Sequence, residues 1–335
     1  MTEFINKCEN VVSEVQKLLN ENREWVQRYV EYGKSISANL EKIKNKKEQF
    51  HQWAPLYVYM NVTEAKGQMK FSLRYQGQDV AKLKVNGGAI TISTKDSKKN
   101  FNEINKRDFD CDINLDDKEW TSKEAANFRK HFSGIIKRTN NSGKGNEEHR
   151  VESLLLTEFS KTNSREKILC NIQPVKIGDI ARFQMPTPLS ASTIENLKYS
   201  GSKGGGIDIM SRIGIGGGVD LCIMEVKDEN VSIEPAAKAI LQGLAYAAFI
   251  RELLRSEGGE EWWKIFGFGR KLPKKIKLSV ACVMPSIDDN DTSFSDTIIK
   301  TGEDSFYLHH LYFKEENNRI VDFTTSLKQC VIKKN

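Results

Sequence analysis

The stretch GGGIDIMSRIGIGGGVDLCIMEVKDEN, Gly204 to Asn230, decides how the C-terminal half of this chain folds. Two apolar runs, 206–215 and 218–227, flank a glycine cluster, the pattern of two antiparallel strands joined by a tight turn. A two-residue turn at Gly216-Gly217 suits glycine, because both central positions can need a positive φ. Opposed residue numbers then sum to 433, which sets Asp208 directly across from Glu225. Opposed residues of an antiparallel pair share a face, with Cβ atoms roughly 5 Å apart. Lys227 lies two residues beyond Glu225 and projects from that face as well. Asp220 competes for the role of second carboxylate, but its odd spacing from Glu225 puts it on the opposite face. A one-residue slip among the glycines would undo the pairing.

The strands are otherwise apolar. Ile207, Ile209, Ile213, Cys222, Met224 and Val226 fall on one face, and Met210, Leu221 and Ile223 on the other. Charges that end such buried strands are costly unless they serve a purpose. Two close carboxylates repel unless a proton or a cation lies between them. A hard divalent ion such as Mg²⁺ satisfies them and keeps several waters. A bound metal orients and acidifies water and steadies charge on a phosphate, while a lysine neutralises a developing oxyanion. This apparatus suits phosphodiester hydrolysis. The bland alternative is an edge hairpin with solvated charges, since Glu-x-Lys is common by chance.

Asp208, then Glu225-Val226-Lys227 on the next strand, then a helix carrying Gln242-Gly243-Leu244-Ala245-Tyr246, resembles the PD-(D/E)xK nuclease superfamily, the fold of many restriction enzymes and RecB-like nucleases. The resemblance covers about residues 147–290 and is specific as an ordered set. It implies a restriction-endonuclease-like α/β core, a mixed sheet flanked by helices. It also implies Mg²⁺, with Mn²⁺ able to substitute, held by Asp208, Glu225 and the Val226 carbonyl, and Lys227 as a catalytic group. Gln242 and Tyr246, four apart and so on one helix face, would support the site or touch substrate. Glu152 takes the place of the acidic residue that many members carry near the metals, with Glu148 its rival. Ile207 departs from the pattern, where a proline often precedes the motif aspartate. The resemblance implies an endonuclease acting on DNA, and fold-level analogy suggests restriction or anti-phage defence. A catalytically silent member that binds nucleic acid or a protein partner, and an RNase or single-strand exonuclease, remain the alternatives.

Arg270, Lys271, Lys274, Lys275 and Lys277 form a basic cluster after Trp262, Trp263, Phe266 and Phe268. Such clusters neutralise phosphates, and aromatics can stack on unpaired bases. A solvated loop beside core aromatics is the competing reading. Arg212 shares the face of Asp208 in the expected register and could reach a phosphate.

Outward from the hairpin, helical spacing over 1–53 predicts one or two amphipathic helices packed on the next domain, with a self-associating coiled coil as alternative. Residues 54–140 read as a small antiparallel meander followed by a helix, capped by Thr121 and Glu124. The polar stretch 139–146 is the best linker. Residues 147–335 form the expected catalytic domain: a helix over 147–161, short strands at 168–177 and 181–186, the hairpin, a helix near 234–255, a strand at 276–284 and a C-terminal hairpin. The strands flanked by helices suggest a sheet covered on both faces.

The six cysteines show no C-x-x-C spacing, against a thiolate zinc site or a disulfide scaffold, and imply free thiols in the cytoplasm. No apolar run is long enough for a membrane span, and the N-terminus lacks the features of a secretion signal. A net charge of +6 permits a nucleic-acid partner without demanding one. A homodimer through the N-terminal helices or the nuclease domain is compatible with this reading, and the sequence leaves the oligomeric state open. The five histidines lack ligand spacing, and no P-loop, serine-hydrolase or zinc-protease motif is present.

Overall fold

A computed structural model of the chain describes residues 2–44, 56–64, 70–86, 89–96, 99–134, 145–163, 165–178, 181–191, 194–229 and 235–333. It resolves into two compact units, one of residues 1–33, 154–175 and 185–335, the other of residues 34–153 and 176–184. The chain starts with helices α1 (Thr2–Glu21) and α2 (Glu24–Lys44). The expected linker, 139–146, lies mostly outside the described residues, and its last two residues open a helix.

The unit centred on 34–153 is built on an antiparallel sheet in chain order, β1 (Leu56–Met60), β2 (Lys70–Tyr75), β3 (Gln78–Asn86), β4 (Ala89–Ser93) and β5 (Lys118–Glu119). The β2–β3 turn uses Gln76 and Gly77, both at positive φ, as a tight hairpin requires. Helices α3 (Phe101–Phe109) and α4 (Lys123–Ser133) follow. Residues 101–109 are therefore helical where a continuing meander was expected. The cap of α4 is Ser122, whose hydroxyl accepts from the Ala125 amide at 3.2 Å, and not Thr121. Helix α5 (Gly145–Phe159) gives residues up to Ser153 to this unit and the remainder to the other.

The larger unit is α/β. Short strands β6 (Leu169–Cys170), β7 (Ile172–Pro174), β8 (Met185–Pro186), β9 (Leu189–Ser190), β10 (Lys198–Tyr199) and β11 (Gly206–Ile207) lead into β12 (Ile209–Ile213) and β13 (Asp220–Val226). Then come α6 (Ala236–Arg255), α7 (Gly259–Ile265), β14 (Lys277–Pro285), β15 (Ile298–Thr301), β16 (Asp304–Glu316), β17 (Arg319–Thr325) and β18 (Val331–Ile332). The main sheet runs β15-β16-β14-β13-β12-β7, with β17 also on β16. It is mixed: β13, β14 and β16 are mutually parallel, and the other pairings are antiparallel. This explains the apolar composition of β13, buried from Leu221 to Val226, because a parallel strand under helices is covered on both faces. The β16–β17 turn places Asn317 and Asn318 at positive φ, where asparagine is tolerated.

Helix α6 is buried along most of its length against β13 and β14, and α1 packs on α6. The α1 stripe of Cys8, Val11, Val12, Val15 and Leu19 is thus used inside the chain, which removes the surface that a coiled coil between copies would need. Trp25 and Tyr29 of α2 meet Phe249 edge-on at 5.7 and 5.1 Å, and Trp262 donates to the Tyr29 carbonyl at 2.9 Å. Among the described residues, no helix is long and apolar enough to cross a membrane.

Candidate active site at the open end of the hairpin

The hairpin holds the expected register with a different turn. Ile209 faces Met224, Met210 faces Ile223 and Ile213 faces Asp220, so opposed numbers sum to 433. The connection is the loop 214–219, with Gly214 and Gly216 at positive φ and a 3₁₀ turn over Gly216–Gly218, in place of a two-residue Gly216-Gly217 turn. Because the loop is centred on the same point, parity is kept. Asp208 stands at the position across from Glu225, but there the chain leaves β13 to pair Gly206 and Ile207 with β8. The Asp208 carboxylate takes over a ladder bond: Oδ2 accepts from the Val226 amide at 2.8 Å.

Glu225, next to the last residue of the internal strand β13, is 1% exposed. Lys227, just past β13, donates from Nζ to Glu225 Oε1 at 2.9 Å and to Gln242 Oε1 at 3.3 Å. Gln242 also hydrogen-bonds the Tyr246 hydroxyl one helical turn on, and burial, with the neighbouring Glu225 charge second, pushes the Tyr246 phenol up to about 12. Asp208, Glu225, Val226, Lys227, Gln242 and Tyr246 therefore converge within one unit. Two glycines permit this. A Cβ on Gly243 would meet Val280 Cγ1 at 3.1 Å and Glu225 Cβ at 3.4 Å, so glycine lets α6 settle onto β13 beside the acid. A Cβ on Gly205 would lie 2.5 Å from the Tyr246 hydroxyl. Reading the sequence missed both contacts. A glycine inside a long apolar helix, where it is disfavoured by about 1 kcal/mol, was the available signal for the first.

Glu152 belongs to the other unit. It is 3% exposed, its Oε1 meets His149 Nδ1 at 2.9 Å and its Oε2 accepts from Gln184 at 3.2 Å. The hydrogen bond that His149 donates to the Glu152 carboxylate raises the His149 pKa.

The basic residues are not brought to this site. In the parallel register Leu221 faces Leu278 and Glu225 faces Cys282, so Lys277 is level with Asp220, five residues or about 17 Å from Glu225 along the strand. Arg270, Lys271, Lys274, Lys275 and Lys277 are exposed at that far end. Arg270 binds the Gly217 and Val219 carbonyls, and Arg212 binds the Gly267 carbonyl and Gln173. Trp262, Trp263, Phe266 and Phe268 are core residues, at most 5% exposed, and Trp263 stacks on Phe268 at 3.7 Å. Buried rings cannot stack on bases, so that expectation is corrected.

No protein-family model, no curated protein and no solved structure matches the chain. The donor set must therefore speak for itself. Asp208 and Glu225 are joined through the Val226 peptide, and with the Val226 carbonyl they offer only oxygen. Hard oxygen ligands without sulfur or imidazole fit Mg²⁺, and Mn²⁺ after it.

Proposed function

We propose that this chain is a metal-dependent nuclease, an endonuclease of the PD-(D/E)xK type with a restriction-endonuclease-like core, hydrolysing DNA in the cytoplasm. One observation carries the reading: Asp208, Glu225 and Lys227 meet at one end of the sheet, tied by the Val226 amide and backed by Gln242. Asp208, Glu225 and the Val226 carbonyl would hold Mg²⁺, which when bound supplies an acidified water and a counter-charge for phosphate. The chain's own groups do the rest. Lys227 sets its ammonium against Glu225 and offers an N–H to charge developing on a phosphate oxygen. Gln242 fixes the lysine's direction, and Tyr246, protonated at neutral pH, locks Gln242. A role in restriction or anti-phage defence belongs to the same proposal.

The expected result is cutting of plasmid DNA in Mg²⁺ that stops in chelator and falls about 100-fold or more in Asp208→Ala and Lys227→Ala. Full activity of Asp208→Ala, or loss only in Asp220→Ala, would overturn the assignment. Linear duplex, single-stranded DNA and RNA in parallel identify the substrate and separate endonuclease from exonuclease action.

A second reading has its own support. The Glu225 and Lys227 side chains are only 2% and 11% exposed and already paired. A closed ion pair of this kind also suits a catalytically silent protein that binds nucleic acid or a protein partner, and binding without metal-dependent cutting would favour it.

A further inference from the structure

At the other end of the hairpin lies a cleft of about 640 Å³, within the range of small-molecule sites. Its walls are the loop 214–219, the segment 267–270 that follows α7, and the strand β7 with its approach. Among the described residues three cations line it, Lys167, Arg212 and Arg270, and no acidic residue does. Each cation is held by neutral oxygens. Arg270 donates to the Gly217 and Val219 carbonyls, both at 2.7 Å. Arg212 donates to the Gly267 carbonyl at 2.6 Å and to Gln173 at 3.1 Å. Lys167, 9% exposed, donates to the Phe159 and Ile172 carbonyls at 2.8 and 2.6 Å.

Among the described residues, none of the three forms an ion pair with a carboxylate. Two acids act on them without an ion pair: Asp220, which accepts from Gln329 at 3.4 Å and feels Lys277 before Arg270, and Glu158, which pairs with Lys161 and the Ile168 amide. Carbonyl partners orient a cation without cancelling its charge. A guanidinium carries five N–H groups, of which these bonds use two in each arginine, and Arg212 Nε has no partner among the described residues. Three cations without an ion-pair partner among the described residues, around a half-enclosed space, attract an anion, and the planar arginine fork matches phosphate oxygens. The rim adds a second feature. Ile215, at the hairpin tip, is 71% exposed, an apolar surface left open by the described residues. An anion alone leaves that surface wet, whereas a phosphate attached to a flat, weakly polar ring covers it.

We propose that this cleft binds a phosphate monoester of nucleotide size, its phosphate between Arg212 and Arg270 and its base against Ile215. The cleft is about 20 Å from Glu225 along β13, so the site stands whether or not the candidate active site is a nuclease. Its ligand is a small molecule held apart from the carboxylates, not a strand running to them.

Gly217 provides the test. A Cβ there meets nothing within 4 Å and its backbone lies outside the left-handed region, so Gly217→Asp adds a carboxylate to the cleft without a clash. Gly217→Asn is the uncharged control. Calorimetric titration of the full chain in chelator and low salt uses adenosine 5′-monophosphate, adenosine, inorganic phosphate and a twelve-nucleotide single strand. Adenosine 5′-monophosphate should bind, phosphate more weakly and adenosine hardly at all. Gly217→Asp should raise the Kd at least tenfold, Gly217→Asn should stay within about twofold, and Asp208→Asn should bind as the wild type does. Salt should weaken the interaction. Absence of binding by adenosine 5′-monophosphate overturns the proposal, as does equal binding by the Asp and Asn variants. Binding of the oligonucleotide alone also overturns it, and would make the cleft part of a nucleic-acid track.

Discussion

His309 lies on β16, 4% exposed, with Nδ1 on the Ser326 hydroxyl at 3.2 Å and Nε2 without a partner among the described residues. Burial lowers its pKa from 6.5 to about 4, with Asp296 working weakly the other way and His310 and Lys328 adding to the depression. Between those values the unfolded chain binds a proton that the folded imidazole refuses. Stability therefore rises with pH across this window, is fully present above 6.5 and is lost as pH falls toward 4. At about 1.4 kcal/mol per pH unit, the gap amounts to about 3 kcal/mol. His310, also lowered by burial, acts in the same direction. His309→Phe should flatten the stability curve between pH 6.5 and 4 by about that amount, read by urea unfolding at a series of pH values. An unchanged slope in the variant would place the acid sensitivity elsewhere. Nothing in the sequence marked this residue, because histidine burial depends on tertiary neighbours: β16 is flanked by β14, β15 and β17, and the segments at 295–297 and 326 hydrogen-bond to it.

At the scale of elements, the candidate site is one helix resting on one hairpin. The hairpin was legible because side-chain period and apolar pattern are local: Asp208, Glu225 and Lys227 could be assigned to one face from parity alone, and the parity survived a wrong turn type. The Gln242–Tyr246 spacing was legible for the same reason. What could not be read was depth. Gly205 and Gly243 matter through contacts with residues more than 15 positions away, and Trp262 of α7 is core because Tyr29 of α2 packs on it. The Gly205 contact gives a sharp test. With Cβ only 2.5 Å from the Tyr246 hydroxyl, Gly205→Ala should be destabilising by about 1–3 kcal/mol, as overpacking is. Tyr246→Phe removes the oxygen that the methyl strikes. In a double-mutant cycle by thermal unfolding, the pair should be less destabilising than the sum of the singles by at least about 0.5 kcal/mol. Strict additivity would mean that the tyrosine does not press on the glycine strand.

For the molecule as a whole, chain order and spatial grouping part company. The sequence reading cut the chain at its most polar segment, which suits a string of consecutive domains. The structure instead gathers residues 1–33 with 185–335, because the apolar stripe of α1 finds its partner in α6, more than 200 residues away. Any ligand at the candidate site therefore draws on a unit assembled from both ends of the chain, and binding there should stabilise that unit by mass action. If Asp208, Glu225 and the Val226 carbonyl hold Mg²⁺ with a Kd on the order of 1 mM, 10 mM Mg²⁺ contributes about 1.4 kcal/mol. For a unit of this size that is a rise of about 3–5 °C in melting temperature relative to chelator. Asp208→Asn keeps the hydrogen-bond acceptor for the Val226 amide but loses the charge, so its melting temperature should respond by less than about 1 °C. An equal rise in wild type and variant would assign the metal to another place on the molecule. No rise in either would leave Glu225 and Lys227 as a closed ion pair and the hairpin without its cation.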